Sequence, residues 1–128
     1  MIIINTKNYK TGDELLKLAR LVETYDVHTI MAVPASDIHR IAAKTTLNVY
    51  AQHVDVTSEK STGWLSVKSV KVAGASGTLL NHSEHPVNLA VLKETIEECK
   101  KLGIVSVVCV ESLDQAKKIA SFRPSAIA

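Results

Sequence analysis

The chain has 128 residues, 46% hydrophobic and 22% charged, with a formal net charge of +2. That is enough apolar material for one core and too even a mixture for disorder. The charge is too weakly basic, and the 4% aromatic content too low, for a nucleic-acid surface built on phosphate contacts and base stacking. Cys99 and Cys109 are too few for a disulfide framework or a zinc site, which fits a reducing cytoplasm. No apolar run approaches the ~18 to 20 residues that cross a bilayer, so no membrane partner is expected. "MIII" is too short for the apolar region of a signal peptide. With no linker and no low-complexity stretch, residues 1–128 read as a single domain.

The elements alternate. A β-branched run (1–5) opens the chain. Residues 12–26 follow with Leu15, Leu18, Ala19 and Val22 at helical spacing, capped by Thr11 or Asp13. A second strand (28–34) precedes a short helix (36–44) with Ser36 as its predicted cap. A third strand (47–55) leads through a polar loop (56–63) into a valine-rich segment (64–75) predicted to be helical. A fourth strand (77–83) is followed by the most regular helix (86–103). Pro86 suits its first turn, Leu89, Leu92, Ile96 and Cys99 form its buried stripe, and Gly103 ends it. A fifth strand (104–111) and a helix (112–122) follow. In that helix Leu113, Ala116, Ile119 and Ala120 share a face. "SAIA" (125–128) opens a sixth strand.

Strand–helix alternation predicts a parallel sheet with helical crossovers. Two architectures satisfy it. An open doubly wound sheet of five strands suits this length, whereas an eight-fold barrel needs ~250 residues. Both gather function at the carboxyl ends of the strands.

Those ends carry the chemistry. Asn5 and Lys7 are two apart and point to one side of an extended segment, where an amide and an ammonium can hold an anionic oxygen; the plainer reading is a solvated loop lysine. His53 and Asp55 form a possible metal pair without a third ligand, or a hydrogen-bonded histidine near a loop. His28 and His39 read as surface residues. After strand four, "NHSEHP" places His82 ahead of a helix start, where backbone N–H groups favour a neutral imidazole suited to polarising a carbonyl. Ser83 with nearby acids is equally good capping chemistry. His82 and His85 are spaced for a helical metal pair, which the intervening turn disfavours. Glu111 would meet Lys7 only if the sheet curls.

"IIINTKNYK", "YAQHVD", "STGW", "GTLLNHSEHP" and "VVCVE" occur in the order and spacing of triosephosphate isomerases, and from residue 2 onward the chain resembles the compact archaeal form. The resemblance implies a partial (β/α)8 TIM barrel, α/β in class, of about five βα units plus the start of strand six. It implies interconversion of dihydroxyacetone phosphate and glyceraldehyde 3-phosphate, with no metal or organic cofactor. Lys7 would hold the substrate and steady the enediolate, and Asn5 would position substrate and support Lys7. His82 would be the neutral electrophile; these enzymes are themselves the standard example of such a histidine. Glu84 would stand behind the reacting groups near Lys7. Thr62 would reach across a subunit interface, implying a homodimer or homotetramer.

Some residues depart from the family pattern. Asn81 precedes the histidine where many members have glycine, His85-Pro86 stand where arginine commonly follows, and Trp64 occupies a place expected to be smaller or polar. In the family, the proton-abstracting glutamate, the lid and the phosphate cradle follow strand six. The 128 residues alone are therefore expected to be inactive, since loss of general-base chemistry costs on the order of 10² to 10⁴ in rate. Assembly through open sheet edges, or with a complementary C-terminal segment, is expected, and a non-catalytic half-barrel module is the alternative reading.

Overall fold

Short β-branched runs flanked by amphipathic helices leave one economical arrangement: each strand pairs with the one before it, and each helix covers the seam. The structure, a computed structural model, describes residues 1–58 and 60–128; Glu59, in the predicted loop 56–63, lies outside the described residues. Six strands form one sheet in strict chain order. They are β1 (Ile3–Asn5), β2 (Ile30–Val33), β3 (Asn48–Ala51), β4 (Gly77–Leu80), β5 (Val105–Val108) and β6 (Ala126–Ile127). Every pairing is parallel, with Ile4 opposite Met31, Met31 opposite Val49, Ala51 opposite Thr78, Leu80 opposite Val108, and Val108 opposite Ile127.

The period of two along each strand separates two cores. Met31, Val33, Val49, Leu80 and Val108 face outward and pack with Leu15, Ile41, Leu92, Ile96 and Ile119 from the helices. Ile30, Ala32, Tyr50, Leu79 and Val107 form a second cluster, and none of its members comes from a helix. Each of these five is at most 6% exposed. Side chains on one face of a sheet bury one another to that degree when the sheet curls. The result is a half-barrel with a sealed concave face, not a flat open sheet. Of the two architectures, the structure adopts the curled partial barrel and not the open five-stranded sheet: the expected sixth strand is present, and beside it Ala128 N donates to Val108 O of β5 at 2.9 Å.

The helices are α1 (Gly12–Tyr25), α2 (Ile38–Lys44), α3 (Val67–Val72), α4 (Leu89–Leu102) and α5 (Leu113–Ala120). Several predicted ends move, each for a local reason. Thr11 stands at the N-cap of α1 but makes no side-chain bond. Asp37, buried in the next βα unit, accepts Gly12 N at 3.0 Å instead. Ser36 does not cap α2; it lies in a 3-10 turn (Ala35–Asp37) and leans on Asp37 Oδ2. The valine-rich helix begins at Val67, not at 64, because Asp55 clamps Leu65 into extended backbone. Asp55 N donates to Leu65 O at 2.8 Å and its Oδ2 accepts Leu65 N at 2.9 Å. Ser66 then caps α3 by accepting Ser69 N. Leu113 and Ala120, placed on the buried face of α5, are exposed, and Ile119 carries that contact.

Candidate active site

The site is built first from backbone. Lys7 has φ +46°, a left-handed conformation that costs a non-glycine residue about 1–2 kcal/mol. It is pinned there from both sides. Lys7 N donates to Asn5 Oδ1 at 3.0 Å, and Gln52 Nε2 at the end of β3 donates to Lys7 O at 2.9 Å and reaches Asn5 Oδ1 at 3.3 Å. One amide therefore ties the ends of β1 and β3 together and fixes the direction in which the lysine leaves the sheet. Strain retained by so many bonds is a mark of function.

The second half comes from the loop after β4. Asn81, also left-handed at φ +55°, turns the chain. Its side chain pinches the loop shut: Nδ2 donates to Cys109 O at 2.9 Å and Oδ1 accepts Val87 N at 3.0 Å. Residues 82–86 are held outside the helix by that clasp. Hence α4 starts at Leu89 with Asn88 as its cap, accepting Ala90 N at 2.9 Å. The predicted Pro86 first turn and Ser83 cap are both corrected, and His82 does not sit at the helix N-terminus. A nearer contact orients it: His82 Nδ1 lies 3.2 Å from Glu84 N, which donates to it, and 3.5 Å from Glu84 Oε2. With Nδ1 accepting from that N–H, the ring presents Nε2–H to the cleft.

The two halves meet. Lys7 Nζ donates to Glu84 Oε1 at 2.9 Å. That bond pushes the lysine pKa up and holds the Glu84 carboxyl below its ordinary value. The carboxylate on Lys7 is that of Glu84; Glu111 is exposed at the start of α5, where its backbone N–H donates to Gln115 Oε1 at 2.8 Å. Asn5, Lys7, Gln52, His82 and Glu84 line a cleft of about 410 Å³ at the carboxyl ends of the strands. Such a cleft can present a cation, an imidazole and an amide to one small anionic guest.

His53 and Asp55 line the same cleft but form a clasp. His53 Nε2 meets Asp55 Oδ1 at 3.0 Å, and Leu65 N occupies the other carboxylate oxygen. Among the described residues no group of three or more His, Cys, Asp or Glu side chains is placed to hold a metal ion. His28 and His39 are exposed, as read. Thr62 is exposed in the loop between β3 and α3, beside Gly63 at φ +82° and Trp64, which is 64% exposed. Gln52 went unassigned in the sequence, although its spacing of two from Tyr50 places it on the concave face.

A family model described as triosephosphate isomerase matches residues 1–123. The chain belongs to the triosephosphate isomerase family. It is 40% identical over 134 residues to a triosephosphate isomerase of Metallosphaera sedula, covering 99% of this chain and 59% of that protein. It is 38% identical to that of Methanobrevibacter smithii, covering 100% of this chain and 61% of that protein. The chain thus spans about three-fifths of the length of the curated relatives it matches. The crystal structure of triosephosphate isomerase from Bartonella henselae superposes with a TM-score of 0.76 at 24% identity, over 91% of this chain and 53% of that one. That likeness is one of fold. It agrees with the curled sheet in a TIM-barrel-like α/β architecture.

Proposed function

We propose that Asn5, Lys7 and His82 form the substrate-holding and carbonyl-polarising half of a triosephosphate isomerase site. One observation carries the reading: Lys7 and Glu84, 77 residues apart in sequence, meet at 2.9 Å in a cleft that also holds His82. In this reading Lys7 Nζ exchanges part of its contact with Glu84 for an oxygen of the triose phosphate. Asn5 positions that oxygen and keeps the strained lysine backbone in place. His82 Nε2–H donates to the substrate carbonyl, so charge developing on the enediolate oxygen meets a donor already oriented for it. A neutral imidazole also moves a proton between the two adjacent oxygens. Glu84 orients Lys7 and, through its N–H, the His82 ring. The proton-abstracting base is a glutamate presented after the sixth strand, as in the family pattern, so the 128 residues by themselves are expected to be silent.

The working form is a cytoplasmic homodimer or homotetramer in which Thr62 contacts a neighbouring subunit; the exposed loop around Gly63 and Trp64 supports that contact. A complementary C-terminal segment is the other partner the site calls for. No described helix is long and apolar enough to cross a membrane.

The test is an isomerase assay on dihydroxyacetone phosphate, with the chain alone and with a segment supplying the remaining strands and the glutamate. Activity is expected only in the mixture, and His82→Gln should lower it by about 10² to 10⁴. Mixed activity indifferent to Lys7→Met would end the reading. A non-catalytic half-barrel is the second reading, in which the edges of β1 and β6 would be the assembling surfaces. It predicts a well-folded oligomer silent in both assays.

A further inference from the structure

The turn that carries His82 and Glu84 lacks support from regular structure. Ser83, Glu84, His85 and Pro86 are all exposed; the Asn81 clasp holds the two ends of the loop, and within it the turn is closed by one backbone bond, His85 N to His82 O at 2.7 Å. Its ion pair to Lys7 is solvent-exposed on both sides, 38% and 60%. Such pairs are weak and fade with salt. Something else has to hold the turn if His82 is to keep one orientation.

The candidate lines the same cleft, one residue beyond Glu84. The His85 imidazole is stacked on that of His53, with ring centroids 3.9 Å apart and planes 18° from parallel. His53 is itself anchored. Its Nε2 is on Asp55 Oδ1, while the other oxygen of Asp55 is occupied by Leu65 N. The His53 Nδ1 atom is buried without a hydrogen-bond partner among the described residues, so the setting of the ring in its own plane rests on Asp55 alone. The ring face is what remains for His85 to use. The order of support runs from Leu65 to Asp55, to His53, to His85, and so to the turn.

We infer that His85 is a positioning residue: stacked on His53, it fixes the turn in which His82 Nδ1 accepts Glu84 N and Glu84 meets Lys7. The catalytic meaning of that turn rests on the isomerase reading above, but the stack and its effect on His82 do not. His85 need not touch substrate. It acts through the backbone of the turn, and a flat apolar ring in its place does the same work.

The measurement is nuclear magnetic resonance on the ¹⁵N-labelled full chain. It reads the side-chain nitrogens of His82, which report whether Nδ1 is the accepting nitrogen, and hydrogen exchange at the Glu84 amide. His85→Ala is expected to speed Glu84 exchange about tenfold, the scale of one aromatic pair. It should also average the His82 nitrogen shifts toward those of a free imidazole. His85→Phe is expected to restore both, with exchange within about twofold of the parent. Lys7→Met, which removes the ion pair from outside the turn and keeps the stack, is expected to leave the His82 signature in place. Unchanged shifts and exchange in His85→Ala overturn the inference, as does a His85→Phe chain that behaves like His85→Ala. Collapse of the His82 signature in Lys7→Met alone overturns it too, by assigning the hold to the ion pair. None of these readouts is a turnover, so a chain silent in the isomerase assay leaves the inference standing, and failure of the stack leaves that assay unaffected.

Discussion

Lys7 and Glu84 bind each other at 2.9 Å from the ends of β1 and β4, strands separated by two others in the sheet. Each shifts the other's titration, chiefly through that hydrogen bond. Glu84 is depressed below its ordinary 4.5, so its contribution is present above that value and is lost as pH falls through the lower folded pKa. Lys7 is raised above its ordinary 10.5, so its contribution is present below that value and is lost as pH rises through the higher folded pKa. The pair should therefore be intact between about pH 5 and pH 10. Titration of the Lys7 Nζ and Glu84 Cδ resonances checks this, and Glu84→Gln should return Lys7 toward its ordinary value. A parent-chain Lys7 titrating at that ordinary value would contradict the geometry.

Cys99 is fully buried on the inner face of α4, and burial pushes its thiol pKa up to about 12. Cys109 is raised by the same cause. Because the thiolate is the reactive form, Cys99 should resist a disulfide reagent at pH 8 until the chain unfolds. One equivalent of fast-reacting thiol persisting in a Cys109→Ser variant would disprove this.

Gly77 opposes Tyr50 across the β3–β4 pair, and a Cβ at this position would collide with the tyrosine ring. Tyr50 is 5% exposed inside the concave cluster, so any shift of its ring disturbs that packing. Gly77→Ala should therefore destabilise by about 1–3 kcal/mol, the range for overpacking. Urea denaturation measures it, and Gly77→Ala combined with Tyr50→Leu should recover part of the loss.

Asp37 supplies from the 3-10 turn before α2 the acceptor that α1 lacks at its own cap. Asp37→Ala leaves Gly12 N without it and should cost about 1–3 kcal/mol. Thr11→Ala removes a side chain that makes no cap bond and should stay within about 0.5 kcal/mol. Thermal melts of the two variants side by side decide between a long-range cap and a local one.

The sequence made the strands and their order legible, because β-branched runs alternate with clear helical stripes such as Leu92, Ile96 and Cys99. Asn5, Lys7 and His82 could be marked because they fall just past those runs. What was not legible depends on contacts between distant segments. Ser36 has the right chemistry for a cap, yet Asp37 is drawn instead to the start of α1. Trp64 and Leu65 fit a helical pattern, yet Asp55 holds Leu65 extended. Pro86 suits a first turn, yet the side chain of Asn81 closes a loop around it. The His53–His85 stack has no signature in spacing at all; it exists because β3 and the loop after β4 end at one rim.

The strictly sequential strand order has a consequence for how the chain is made. Among the described residues each strand docks on the one synthesised just before it. Forming these pairings asks loop closure to span one crossover at a time. As the polypeptide emerges from the ribosome, β1 through β6 can be laid down in order of translation. The Gln52 bonds that stitch the Lys7 rim join segments that are complete in sequence 30 residues before His82.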